Sequence, residues 1–94
     1  MMNPSQRITF IELNKRFQET SKKKKLDEAI KIHSELLDLL KAIDLSQGNY
    51  IQKIIVEAYL QILIRINYDP HSFKTSLNQK LGYAFDSLNR HFIS

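Results

Sequence analysis

Histidine is the residue type in this 94-residue chain best suited to metal binding or proton transfer, and it occurs three times. His33 falls among apolar residues, but no second histidine or carboxylate follows it at the spacing of a metal ligand on the same helical face. His71 lies in a predicted turn and His91 near the carboxyl end, where capping and solvent exposure account for both. We therefore predict that His33 is a core or boundary residue and that the chain has no metal site.

Paired carboxylates could also supply acid–base chemistry. The candidates, Asp27 with Glu28, Glu35 and Asp38, all fall on the polar face of one predicted helix. A catalytic carboxylate needs burial or a nearby charge to shift its pKa, and this face offers neither an apolar setting nor a matched partner. Cysteine is absent, and no serine or threonine lies in a nucleophile elbow or a glycine-rich phosphate loop. We expect no enzymatic activity and no cofactor.

The densest charge in the chain is a run of four lysines, Lys22, Lys23, Lys24 and Lys25. Mutual repulsion disfavours a packed position for them, so one interpretation is a solvated connection over 20–25. The other is a contact with anionic lipid headgroups, to which each basic residue can contribute about 1 kcal/mol. The run lacks the interleaved aromatic residues that stack on nucleic acid, and the net charge of +4 is mild. A nucleic-acid partner is not expected.

The carboxyl-terminal residues Arg90, His91, Phe92 and Ile93 follow the last apolar repeats without a glycine or proline to end the helix. In a structural interpretation, this is a frayed helix end whose Phe92 closes the bundle. In a functional interpretation, it is an exposed recognition end, because apolar residues beside a basic one can contact a protein or a membrane. The residues leave both interpretations open.

Four segments, over 6–19, 26–43, 50–67 and 72–92, place apolar residues at spacings of three or four, which predicts amphipathic helices. Only two glycines and two prolines are present, which disfavours a sheet of many short strands. Short connections make consecutive helices antiparallel neighbours. The sequence therefore predicts an all-α, antiparallel four-helix bundle that forms a single domain over 1–94.

Single residues indicate where the helices begin and end and which helix is central. We expect Ser5 to cap the first helix. After the second helix we expect a connection over 44–49, in which Gly48 is well placed to break the helix. The third helix is apolar nearly all round, so we expect it to be the central element, or to drive oligomerisation if one chain does not cover it. Gly82 lies inside the fourth helix, where it costs about 1 kcal/mol relative to alanine and leaves room for a neighbouring helix. The third helix has one narrow polar stripe, which consists of Lys53, Glu57, Gln61 and Arg65.

The cellular location is also indicated by the sequence. The first 18 residues lack the uninterrupted apolar run of a signal peptide. The most apolar segment, 50–66, is interrupted by charged and amide side chains and falls short of the roughly 20 apolar residues that span a bilayer. Without cysteine, the chain suits a reducing compartment. We expect a cytoplasmic protein, in part at the inner face of the membrane.

Several features follow one another along the chain: an amphipathic first helix, a lysine-rich connection, two long middle helices, a Tyr-Asp-Pro turn and a final helix. The most characteristic stretch, 36–88, reads LLDLLKAIDLSQGNYIQKIIVEAYLQILIRINYDPHSFKTSLNQKLGYAFDSL. This order resembles the immunity proteins of pediocin-like, class IIa bacteriocins. The resemblance implies a cytoplasmic four-helix bundle that protects a Gram-positive cell. The toxin resisted would be a bacteriocin that permeabilises the membrane through the mannose phosphotransferase permease.

The resemblance also implies how the protein acts. Proteins of that family engage the permease with its bound bacteriocin from the cytoplasmic side, and their carboxyl-terminal half decides which bacteriocin is resisted. Here that half corresponds to the helix over 72–92 and the tail through Ser94, and little chain remains for a long flexible specificity segment. The residues expected to contact the partner are Lys80, Arg90, His91, Phe92 and Ile93.

A second hypothesis comes from a different class of function. A helical bundle without a catalytic or metal site can serve as a small regulatory or adaptor protein, with weak nucleic-acid binding through its mild positive charge. A recognition helix is hard to find, because the third helix is too apolar and the fourth has only three basic residues. Those three are Lys74, Lys80 and Arg90.

Overall fold

The computed structural model describes residues 2–23 and 25–93 of the chain. Helices dominate these residues, and no strand occurs among them. The four α-helices are α1 (Pro4–Lys23), α2 (Leu26–Ala42), α3 (Tyr50–Tyr68) and α4 (Lys74–Leu88). Short 3₁₀ turns at Leu45–Gln47 and Pro70–Phe73 connect the later helices, and a π-helical turn, Asn89–Ile93, follows α4. The predicted all-α fold is confirmed.

Hydrogen bonds between helices show that neighbours run in opposite directions. Near the start of α1, Gln6 Nε2 donates to the carbonyl oxygen of Ala42 at the end of α2 (3.1 Å). At the start of α3, Gln52 Nε2 donates to the carbonyl oxygen of His91, just past the end of α4 (2.7 Å). With α2 and α3 joined by a short turn, the four helices form the antiparallel bundle that the sequence predicts.

The first helix begins earlier than expected, because Asn3 rather than Ser5 caps it. Asn3 Oδ1 accepts a hydrogen bond from the backbone N–H of Gln6 (2.8 Å), and Gln6 Oε1 accepts one from the backbone N–H of Asn3 (3.0 Å). This reciprocal capping box satisfies two amides that the helix leaves unpaired. Pro4 occupies the first helical position, where its missing N–H costs nothing. The prediction of a Ser5 cap was wrong.

The expected solvated connection over 20–25 is also shorter than predicted. Helix α1 continues through Lys23, and Thr20 is buried. Lys22 and Lys23 fall in the last helical turn, where positive charge interacts favourably with the helix dipole and offsets their mutual repulsion. Most of the predicted connection is therefore the end of α1.

Gly48 does not end the second helix. Helix α2 stops at Ala42, where Ile43 adopts an extended conformation (φ −71°, ψ 130°). Gly48 follows the next 3₁₀ turn with a φ of −85°, which any residue can adopt. The third helix then starts with a second capping box, in which the Asn49 side chain accepts from the backbone of Gln52 (2.8 Å). Side-chain caps and turns, not glycine, separate these helices.

Helix α2, not α3, is the central element of the core. It packs against all three other helices. Its buried residues are Ala29, Ile32, His33, Leu36, Leu37, Leu39 and Leu40. By contrast, α3 buries only Val56, Leu63 and Ile66. The expectation that α3 would be the most covered helix was wrong, because the bundle leaves one side of α3 open to solvent.

Aromatic rings link α1 to α4 on the other side of the core. The ring of Phe85 lies 5.4 Å from that of Phe10 and 5.2 Å from that of Phe17, measured between centroids. Gly82 adjoins this cluster, but a Cβ atom built on it would lie 3.8 Å from the Phe17 ring, an ordinary contact distance. The approach of α1 to α4 therefore does not require glycine at this position.

No helix in the described part of the chain is long and apolar enough to cross a membrane.

Candidate functional site

The seam between α3 and α4 is closed along one half by hydrogen bonds. Tyr59 and Ser87 pair through their hydroxyl groups at 3.1 Å, and Gln52 reaches the carbonyl oxygen of His91 at 2.7 Å. Both contacts lie towards the amino-terminal half of α3 and the carboxyl-terminal end of α4. Polar contacts therefore hold this half together.

The other half of the seam opens into a groove, which we call the basic groove. It is a cavity of about 250 Å³ lined by Ile62, Arg65, Ile66, Phe73 and Lys80. Ile66 is buried and Phe73 is 39% exposed, so apolar carbon forms much of the lining. The Arg65 side chain is exposed and Lys80 is half-buried. Two cations thus border an apolar floor.

Neither cation of the basic groove is neutralised within the described residues. Arg65 and Lys80 take part in none of the ion pairs found there. Between positions 58 and 85 the sequence contains three basic residues, the third being Lys74, but only one acid, Asp69. The described lining of the groove therefore holds two cations and no acid.

Asp69, which lies between Ile66 and Phe73 in the sequence, has a structural role. Asp69 ends α3, and its carboxylate accepts hydrogen bonds from the hydroxyl of Ser72 and from the Ser72 backbone N–H (3.3 Å). These bonds, from the hydroxyl first and the amide second, lower the pKa of the Asp69 carboxyl. Asp69 is thereby held ionised as the cap of the turn before α4.

Helical spacing explains how the residues of the groove come together. Ile62, Arg65 and Ile66 lie three and four positions apart and so share one side of α3. Phe73 is the last residue of the 3₁₀ turn before α4, and Lys80 lies nearly two turns into α4; both line the groove where α4 meets α3. The sequence places Arg65 in the narrow polar stripe of the third helix, and of the residues that line the groove it predicts only Lys80 as a contact residue. The pairing of the two helices was the missing information.

The predicted carboxyl-terminal contact residues are mostly docked on the bundle. Arg90 is exposed, but Phe92 and Ile93 are half-buried against the core. The carbonyl oxygen of Ile93 accepts a hydrogen bond from Arg7 Nη2 (3.4 Å). Lys80 precedes Arg90 by ten positions, or about 15 Å along a helix, so Lys80 is not brought together with the tail residues. Ser94 lies outside the described residues.

The lysine run borders a second, more polar cleft. Lys22, Lys23 and Lys25 are exposed, and Lys24 lies outside the described residues. A cavity of about 210 Å³ between α1 and α2 is lined by Arg16, Glu19, Thr20, Lys23, Lys25 and Glu28. Its two glutamates balance part of the positive charge, and Arg16 already pairs with Glu35 on α2 (2.6 Å). This cleft is less suited than the basic groove to binding an anionic partner.

The two ends of the bundle differ in character. The basic groove and the lysines share one end, where α1 and α3 finish and α2 and α4 begin; we call it the lysine end. The opposite tail end holds the start of α3 and the tail residues 90–93. The long dimension of the molecule is 35 Å. The tail residues 90–93 and the lysines are therefore separated along the bundle, whereas Lys80, also predicted to contact the partner, lies at the lysine end.

No protein-family model, curated protein or solved structure matches this chain.

The histidines form no cluster in the described residues, where no group of histidines and acids suited to a metal ion occurs. His33 is fully buried in the core, which confirms the role predicted for it. His71 is exposed in the turn before α4, and His91 is half-buried beyond its end. The surface features that could contact a partner are the basic groove, the tail residues 90–93 and an apolar strip on α3, which consists of Tyr50, Ile51 and Ile54.

Proposed function

We propose that this protein is an immunity protein against a class IIa bacteriocin and that it acts by binding. Its small, basic, cysteine-free four-helix bundle agrees with the fold that the family resemblance implies. The observation that carries the proposal is the surface of α3 and α4, where two cations border apolar side chains. Such a surface suits recognition of a partner protein.

In this proposal the partner is the mannose phosphotransferase permease with its bound bacteriocin, engaged from the cytoplasmic side. The lysine end approaches the anionic inner face of the membrane through Lys22, Lys23 and Lys25, with Lys24 beside them in the sequence. A polybasic segment gains about 1 kcal/mol per residue near such a surface. Helix α4 and the tail then determine which bacteriocin is resisted.

The test is expression of the chain in a strain sensitive to class IIa bacteriocins, followed by challenge with a panel of these toxins. Protection against at least one of them is expected. The absence of protection against all of them, with the protein detected in the cytoplasm by immunoblotting, would overturn the proposal.

Charge variants at the two ends separate the two assigned regions. Lys22→Gln with Lys23→Gln should weaken protection against every toxin that the wild type resists, because approach to the membrane is impaired. Arg90→Gln should change the relative protection between toxins, because it alters the specificity region. Equal effects of both variants on all toxins would contradict this division of roles. Deleting the tail is a poorer test, since Phe92 and Ile93 pack against the core.

The apolar strip on α3 favours a second candidate function, that of a helical adaptor or oligomer. Tyr50, Ile51 and Ile54 are 77%, 58% and 45% exposed, although they begin the helix that was expected to be covered most. Exposed apolar patches mark interaction surfaces. Sedimentation velocity over a wide concentration range, comparing the wild type with Ile54→Glu, tests this candidate. Association that the substitution abolishes would favour it, and a wild type that stays monomeric would exclude the oligomer.

The weak nucleic-acid binding of the alternative hypothesis has its own test. Contacts with phosphates release counterions, so the affinity of such a complex falls steeply as salt rises. A gel-shift titration at several salt concentrations distinguishes it from the immunity hypothesis, which predicts no shifted band.

A further inference from the structure

The basic groove has the composition of a peptide-recognition site. Ile62, Ile66 and Phe73 offer an apolar floor, and Arg65 and Lys80 border it from different helices. Removing apolar surface from water is favourable, and a carboxylate beside an arginine or lysine gains a charge-assisted hydrogen bond. A partner that supplies both an apolar group and negative charge would contact the apolar floor and also pair with the two cations.

The size of the groove indicates how much of a partner enters it. Pockets that enclose a small-molecule ligand usually have about 300–1,000 Å³. The basic groove, at about 250 Å³, lies below that range. It suits one large side chain and the groups beside it, with the rest of the partner outside. Helix-in-groove recognition likewise places apolar anchor side chains of a longer segment in a groove.

The charge around the groove determines which charge a partner must carry. No acid is among the described residues that line the groove, and the Asp69 carboxylate, in the turn between α3 and α4, already accepts hydrogen bonds from Ser72. The cleft between α1 and α2 at the same end is lined by three cations, Arg16, Lys23 and Lys25, and by two glutamates. A basic or neutral segment would leave Arg65 and Lys80 unpaired, whereas an acidic segment pairs them.

We propose that the basic groove binds an acidic segment of a partner protein, in which carboxylates flank one large apolar side chain. The apolar side chain packs on Ile62, Ile66 and Phe73. One carboxylate pairs with the guanidinium of Arg65, which can hold it through two parallel hydrogen bonds, and another pairs with the ammonium of Lys80. This proposal does not depend on the immunity function, since the groove would bind such a segment in any helical adaptor.

A lipid surface is a poorer match for the groove than a protein segment. Lipid headgroups form a broad anionic plane, which suits the exposed side chains of Lys22, Lys23 and Lys25 at the end of the bundle. The floor of the groove lies between α3 and α4. Lipid headgroups would pair with Arg65 and Lys80 but would leave Ile62 and Phe73 without an apolar contact. A membrane is therefore an alternative outcome of the experiment.

The experiment uses synthetic peptides of about 15 residues, long enough to form helix on binding. In three acidic peptides, a central leucine is flanked by glutamates at different helical spacings. Two control peptides replace the glutamates by glutamine or the leucine by serine. Titration into the isotope-labelled protein, followed by amide chemical shifts, should move the signals of Ile62, Ile66, Phe73 and Lys80 with at least one acidic peptide. Both control peptides should bind much more weakly.

Variants of the protein test the role of the two cations. Arg65→Gln with Lys80→Gln should lower the affinity for the acidic peptide by about tenfold, since each partly exposed pair makes a modest contribution. The matched control, Lys15→Gln with Lys31→Gln, removes the same charge from exposed positions on α1 and α2 and should leave the affinity within about twofold. Circular dichroism and thermal unfolding verify that both double variants fold.

Three results would overturn the proposal. The first is the absence of binding by all three acidic peptides. The second is an equal loss of affinity in the groove variant and in the control variant, which would indicate general attraction by net charge. The third is a shift of the groove signals by phosphatidylglycerol vesicles but not by peptide, which would assign the groove to the membrane.

Discussion

The Nε2 atom of His33 on α2 lies 2.9 Å from the carbonyl oxygen of Leu63 on α3, inside the core. A carbonyl oxygen can only accept a hydrogen bond, so Nε2 carries a proton and donates it. The other ring nitrogen, Nδ1, is buried without a hydrogen-bond partner among the described residues. Burial lowers the pKa of His33, and the bond to Leu63 opposes this effect only in part. A neutral imidazole thus joins the two middle helices.

The neutral state of His33 predicts that the bundle loses stability in mild acid. The unfolded histidine takes up a proton near the ordinary histidine pKa of about 6.5, whereas the lowered pKa of His33 makes the folded protein resist protonation. The unfolded state therefore binds more protons as the pH falls below about 6.5, and the free energy of unfolding decreases until the lowered folded pKa is passed. One histidine contributes at most about 1.4 kcal/mol per pH unit in this range.

Urea unfolding at about pH 7.5 and about pH 5 measures this effect. His33→Gln should show a smaller loss of stability between the two pH values than the wild type, whatever its stability at neutral pH. His71→Gln is the control, because His71 is exposed in the turn before α4. If His71→Gln removes the pH dependence and His33→Gln does not, the assignment to His33 is incorrect.

Replacing Gly82 by alanine should stabilise the protein by about 0.5–1 kcal/mol. Alanine favours a helix interior over glycine by about that amount. The added Cβ atom meets the Phe17 ring at 3.8 Å, so it gains contact without a clash. Thermal or urea unfolding of Gly82→Ala against the wild type measures the change. A loss of stability would mean that α1 and α4 pack more tightly here than the distance indicates.

Truncation of Phe85 should cost about 3–5 kcal/mol, because it removes a buried ring from contact with two others. A domain of this kind has a total stability of only about 5–15 kcal/mol, so Phe85→Ala should be close to unfolding. Tyr83→Ala, two positions away on the exposed side of α4, is the matched control and should change stability by less than about 0.5 kcal/mol. Similar losses from the two substitutions, measured by urea unfolding, would contradict the core assignment.

The cap of α1 gives a direct comparison of two neighbouring positions. Asn3→Ala removes the side chain that accepts from the Gln6 amide and should destabilise the protein by about 1 kcal/mol. Ser5→Ala, at an exposed helical position, should have little effect or a slight stabilising one. The urea midpoints of the Asn3→Ala and Ser5→Ala variants are compared with that of the wild type. A larger loss of stability from Ser5→Ala would show that Ser5 caps α1, as predicted from the sequence.

Much of the secondary structure could be predicted from the sequence. Apolar spacing placed α2 and α3 within a residue of their observed ends and identified His33 as an interior residue. The errors occurred where two signals competed. The four lysines indicated a loop, but the last turn of α1 accepts positive charge, and a nearby serine obscured the stronger capping box of Asn3 with Gln6.

The four amphipathic helices follow from the chain alone, because the period of the apolar residues is a property of the sequence. Which helix is central, and where the basic groove lies, depend on how the helices pack. Periodicity shows which residues share a side of a helix, but not how much of that side a neighbour covers. Helix α3 is apolar nearly all round, yet Ile51 and Ile54 stay exposed because α2 and α4 cover only part of its circumference. Arg65 and Lys80 likewise become neighbours of one groove only when α3 meets α4.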